Sequence, residues 1–185
     1  MMNPTIMDIK NRRSIRKFRH DQIPEPVIRE IVESGIYAPN ARNQQKWHFT
    51  VVQDKATLTK MVEIIKENIM KSDIEFLKQR AKSPDYNTFH NAPAVILITA
   101  EEETRFVELD CGAAMQNMAL AAESHEVGTC VITSSEFLFA SNKEKVREML
   151  GVPERYDHIC TIALGYIDRE KPAMPQRNMD VINYI

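Results

Sequence analysis

Glycine is scarce in this 185-residue chain, with five in all against ten methionines, a balance that favours helix over turn. Cysteine is scarce too. Cys111, Cys130 and Cys160 form no CxxC and no metal-ligand spacing, and each sits in an apolar stretch, so they are expected to be reduced, buried thiols. No metal site is expected. Long apolar runs are missing: the longest, Ala92 to Ala100, is strand-sized, and MMNPTIMDIKNRR lacks a signal-peptide hydrophobic region. The chain is therefore expected to be cytoplasmic, with no membrane partner. The formal charge of -2 gives no global attraction to nucleic acid, so any basic cluster must act locally. Internal repeats and a linker are absent as well, and 43% hydrophobic with 27% charged residues suits one domain over residues 1–185.

Two local features stand out against this background. RRSIRKF, from Arg12 to Phe18, places three guanidiniums and a hydroxyl within five positions. Their mutual repulsion is relieved by a multiply charged anion, and Arg12, Arg13 and Arg16 offer forked donors to which the Ser14 hydroxyl adds a neutral one. The same string also fits a solvated basic face or a nucleic-acid patch. The second feature is APNARNQQKW, from Ala38 to Trp47. Pro39 and Asn40 restrict it to turn geometry, and Asn43 and Gln45 bring amides that donate and accept, as the edge of a planar heterocycle requires. Taken alone it is equally an ordinary polar loop before a strand.

The periodicity predicts mixed α and β structure. Thr5 with Asp8 reads as a capping-box start for a helix to about Arg13. Pro24 and Pro26 open a second helix with Val27, Ile28, Ile31, Val32 and Ile36 on one face, closing near Gly35 to Pro39. Strands are expected at Trp47–Val52, Ala92–Thr99, Thr129–Thr133 and Tyr156–Ile167. Helices are expected from Lys55 to about Met70 and from Phe106 to about Glu126, and two short ones between Ser135 and Leu150. The Phe106 helix, with CGAAMQNMALAA at its middle, is apolar nearly all round and needs partners on several sides. The tail DREKPAMPQRNMDVINYI should be an extended arm whose apolar end seeks a surface.

These motifs resemble the N-terminal signatures RRSxRxF and APSxxNxQPW of the FMN-dependent nitroreductase family. The resemblance extends through APAVILIT, DCGAAMQNMALAAESHEVGTCVIT and GYIDREKP. It implies an α+β fold, a mostly antiparallel central sheet flanked by helices, in a homodimer whose C-terminal arms are exchanged between subunits. It also implies an FMN cofactor, NAD(P)H as donor, and ping-pong hydride transfer to nitroaromatics, quinones or other small-molecule acceptors. By the same resemblance Arg12, Arg13, Ser14 and Arg16 hold the phosphate and flavin edge from one subunit. Pro39, Asn40, Ala41 and Asn43 lie against the ring from the other, a backbone N–H near Ile132, Thr133 and Ser134 meets N5, and Arg177, with Lys171 as a second candidate, reaches the phosphate. Asn40, Lys46 and the Thr133-Ser134 pair depart from the family's usual Ser, Pro and Gly-Gly or Glu-Gly.

No catalytic side chain is needed if the flavin carries the chemistry. His48, His90, His125 and His158 share no ligand spacing and read as structural or surface residues. The stretch from Met70 to Asn91 is expected to act as a loop-like cover, with Phe76, Tyr86 or Phe89 stacking on the acceptor. Three other readings remain open: another flavin reaction such as dehalogenation or dehydrogenation, a thiol hydrolase built on one of the cysteines, and a small nucleic-acid-binding protein.

Overall fold

A computed structural model of the chain describes residues 3–185. Four strands, β1 (Trp47–Val52), β2 (Ala94–Glu101), β3 (Val127–Ile132) and β4 (Tyr156–Tyr166), form one antiparallel sheet in the order β1-β2-β4-β3. β2 is buried from Ala94 to Ala100, which explains its unbroken apolar run: both faces of the sheet are covered. Val95 and Leu97 face one core, while Ala94, Ile96, Ile98 and Ala100 face the other. The first core is closed by α3 (Lys55–Lys71), a 3-10 turn at Ser134–Phe139 and α6 (Lys143–Leu150). The second is closed by α2 (Glu25–Ile36) and α5 (Val107–Ser124), whose Cys111, Ala114, Met118 and Ala122 lie on the sheet. The expected α+β architecture is the one observed.

The feature that positions the site is the covered edge of β3. Ser14 bridges Thr129 in parallel, and Ile15 N donates to Thr129 O at 2.8 Å. Phe18 then bridges Ile167, and Arg19 N donates to Tyr166 O at 2.9 Å. The segment touches the sheet only at isolated bridges, which puts Ile15 and Phe18 into the core and leaves Arg16 and Lys17 exposed between them. A close approach is possible because Gly128 and Gly165 lie beneath: a Cβ at Gly165 would come within 2.7 Å of Pro93 Cδ and 2.9 Å of Phe18 Cδ1.

Several local expectations change. α1 spans Pro4–Asn11, and its cap is Asn3, whose Oδ1 accepts from Thr5 N at 3.0 Å. Pro4 at the first helical position needs no acceptor, so Thr5 lies inside the helix and no capping box with Asp8 forms. The stretch after Met70 is not one loop: α4 (Glu75–Ala81) occupies it. Phe89 is 1% exposed and belongs to the core, because this segment must close the apolar gap between α3 and the sheet. Phe76 is 68% exposed and Tyr86 half-buried. The arm after Asp168 is extended and exposed, tied down by a Lys171–Glu123 ion pair. No helix of the described residues is long and apolar enough to cross a membrane.

Candidate functional site

α1 stops at Asn11, and the chain enters the bridge to β3 through Arg12, so the three arginines emerge where a helix end meets a sheet edge. Arg13 turns back. Its Nη1 donates to Lys10 O at 2.6 Å and to Arg12 O at 2.8 Å, satisfying carbonyls the helix end leaves free, while its buried Nε has no partner. Arg12 and Arg16 form no ion pair or side-chain hydrogen bond with any described residue, whereas Arg19, three positions on, pairs with Asp21 at 2.9 Å.

Arg16 reaches a cavity of about 170 Å3 that Ile132, Thr133 and Ser134 also line. The structure thus brings together Arg16 and the strand end predicted to meet the same ligand. Ser14 and Arg16 share a neighbouring groove of about 260 Å3. The far wall of the cavity comes from the Met70 to Asn91 stretch expected to cover the site, with Tyr86 among its residues; sequence reasoning did not single out Arg80 of α4, Thr88 and His90, which also line it. No carboxylate lines it. Burial, then Arg16 and Arg80, push the His90 pKa below its ordinary value, and burial raises that of the Cys130 thiol while Arg16 and Arg12 oppose the rise. The electrostatics are those of an anion site.

The amide-rich turn lies elsewhere. Ala41–Asn43 forms a 3-10 turn; Arg42 and Asn43 within it and Gln45 just after it have φ of 56°, 53° and 51°, the left-handed region that non-glycine residues enter at a cost. Two side chains hold it there: Asn40 Oδ1 accepts from Gln45 N at 2.9 Å, and both oxygens of Asp110 on α5 lie 3.1 Å from Ala41 N. Asp110 was hidden in an apolar helix and carried no sequence signal. Lys46, which stands in place of the family proline, pairs with Glu101 at 2.7 Å. Pro39, Asn40, Ala41 and Asn43 line neither the cavity nor the groove that Arg16 reaches, and Arg177 lies in the exposed arm.

The thiols are poor nucleophile candidates. Burial pushes Cys111 up to about 12 and Cys160 up to about 11, so neither forms a thiolate near neutral pH. Among the described residues no cluster of His, Cys, Asp and Glu is able to hold a metal ion.

Comparison with known proteins points to one family. Residues 9–166 match the Nitroreductase family. A crystal structure of a nitroreductase with bound FMN from Bacteroides fragilis is 30% identical, covers 100% of both chains and superposes with a TM-score of 0.94. An Archaeoglobus fulgidus protein with the provisional name NADH dehydrogenase/NAD(P)H nitroreductase is 30% identical, over 92% of this chain and 89% of its own. A 4-nitrobenzoate reductase from Nocardioides is 27% identical, over 89% and 81%.

Proposed function

The chain belongs to the nitroreductase family, and from that premise we propose that it is an FMN-dependent NAD(P)H oxidoreductase acting on nitroaromatics, quinones or similar planar acceptors. The observation that carries the reading is the cavity beside β3, where Arg16 and the strand end Ile132–Ser134 meet with no carboxylate in the wall. Arg12 and Arg16, which lack protein partners, and the half-buried Ser14 fit an anionic cofactor.

In this reading Arg12 and Ser14 bind the phosphate, Arg16 the flavin edge, and the backbone at Thr133 and Ser134 the central ring. Arg13 holds the end of α1 and so orients Arg12. The Pro39–Asn43 turn and Arg177 come from a second copy, since neither meets Arg16 within one chain. A homodimer with exchanged arms also accounts for apolar side chains left exposed: Tyr37 at 82%, Leu109 at 73% and Tyr184 at 90%, with Ile6, Met7 and Ile9 of α1. The chemistry that bound FMN supplies is hydride acceptance from NAD(P)H and hydride donation to a second substrate. The protein's part is to fix the ring, to place donors where negative charge develops and to keep one face open to donor and acceptor in turn. Arg80 makes that opening cationic, with His90 held neutral beside it, which favours anionic acceptors.

The test is NAD(P)H oxidation by the FMN-loaded protein. A quinone or nitroaromatic should accelerate it with ping-pong kinetics; an FMN-loaded protein that oxidises NAD(P)H with neither acceptor would exclude the assigned substrates.

A further inference from the structure

Beneath the strand end lies a polar cluster that the reading above does not use. Ser135 and Thr161 are each 0% exposed, and the partly buried His158 of β4 joins them. Ser135 Oγ donates to Ile132 O at 2.8 Å and lies 2.8 Å from His158 Nε2; Thr161 Oγ1 is 3.4 Å from the same nitrogen. A hydroxyl has one proton. Because Ser135 spends it on the Ile132 carbonyl, the imidazole must donate the other bond, which makes His158 the neutral Nε2–H tautomer. Burial supports this by holding His158 well below its ordinary range, at about 4. Phe139 packs against the imidazole with ring centroids 6.1 Å apart.

The relay runs from His158 through Ser135 to the Ile132 carbonyl, and Ile132 precedes the two residues whose backbone the functional reading sets against the flavin. Thr133 caps the turn from Ser134 with no side-chain hydrogen bond, and the Ser135 bond to Ile132 O is a buried side-chain anchor on its first residues. We propose that His158 is a positioning residue: through Ser135 it fixes the backbone of Thr133 and Ser134 and thereby sets the reduction potential of the bound flavin. The proposal rests on the FMN reading of the previous section.

The experiment uses FMN-loaded wild type, His158→Phe, His158→Gln and Ser135→Ala. Phe keeps the ring packing and removes the donor; the amide nitrogen of Gln reaches the place of Nε2 and restores it. Ser135→Ala removes one hydroxyl and is the variant least able to disturb folding. The readouts are the flavin midpoint potential by spectroelectrochemical titration and amide hydrogen exchange of Thr133 and Ser134 in flavin-free protein. His158→Phe and Ser135→Ala should weaken the preference for reduced flavin about tenfold, which is about 30 mV more negative for a two-electron couple. Exchange should rise about tenfold, and His158→Gln should return both readouts toward wild type. Stoichiometric FMN at unchanged potential in both His158→Phe and Ser135→Ala, with unchanged exchange, overturns the positioning role alone. Wild-type protein that takes up no FMN overturns the flavin reading and this proposal with it.

Discussion

Asp110→Ala gives a sharp test of how the amide-rich turn is held. The Asp110 carboxylate is 8% exposed, sits in the first turn of α5 and places both oxygens 3.1 Å from Ala41 N. A hydrogen bond to a charged group is worth about 1.5–3 kcal/mol, and a carboxylate in a helix's first turn adds about 0.3–1 kcal/mol. Ala41 is only half-buried, so water can replace part of the lost bond and the net cost should fall near 2 kcal/mol. Most of that should appear locally, because the turn with three left-handed residues relaxes without unfolding the sheet. The Ala41 amide should therefore exchange about 30-fold faster, and FMN should bind about tenfold more weakly, if the turn of one copy lies against the ring in the other. Asp110→Asn keeps an acceptor and should lose less than half of each effect. Wild-type exchange at Ala41 in Asp110→Ala would refute the anchoring argument.

Other expectations follow from burial and packing. His158, held at about 4 in the fold against 6.5 outside it, binds its proton more readily when unfolded. Its contribution to stability is thus present above about pH 6.5 and is lost as pH falls toward 4, by at most about 3 kcal/mol at about 1.4 kcal/mol per pH unit. His48 and His90, also lowered by burial, act in the same direction. Urea midpoints from pH 7 to 4.5 should fall more steeply in wild type than in His158→Phe; parallel curves would contradict this. Phe89→Leu should lower the thermal midpoint through about 1–2 kcal/mol of lost core packing with unchanged acceptor KM, and Phe76→Leu should do the reverse, since one is buried and the other exposed beside Arg80. A Cβ at Gly165 meets Pro93 and Phe18, so Gly165→Ala should destabilise by about 1–3 kcal/mol and loosen the segment carrying Arg16; an unchanged urea midpoint would show that Phe18 yields freely.

Where a signal repeats along the chain, the sequence was legible. The apolar spacing of Leu58, Met61, Ile65 and Ile69 marked α3, and the run from Ala94 to Ala100 marked the doubly covered β2. The arginine cluster and the strand end at Ile132–Ser134 were legible as motifs, and the fold brings Arg16 to that strand end. Short-range competition was harder: Asn3 and Thr5 are both good caps, and Pro4 decided between them by taking the first helical position. α4 is under two turns long and lies in a polar stretch, too short for its period to show. Contacts that join distant positions left no local trace. Asp110 and Ala41 are 69 residues apart, and His158 and Ser135 are 23 apart on opposite sides of a helix and a loop. In each pair the partner lies far along the chain, and the roles exist only after the sheet has formed.

The central claim is that Arg12, Ser14 and Arg16 form the anion-binding half of an FMN site at the edge of β3. It is tested most directly by titrating flavin-free protein with FMN and following the quenching of flavin fluorescence, for wild type and Arg12→Ala. Wild type should bind FMN stoichiometrically with the chain, and Arg12→Ala should lose about 1.5–3 kcal/mol, a rise in Kd of about 10- to 150-fold. Equal affinity in the two proteins, with both folded, would contradict the account.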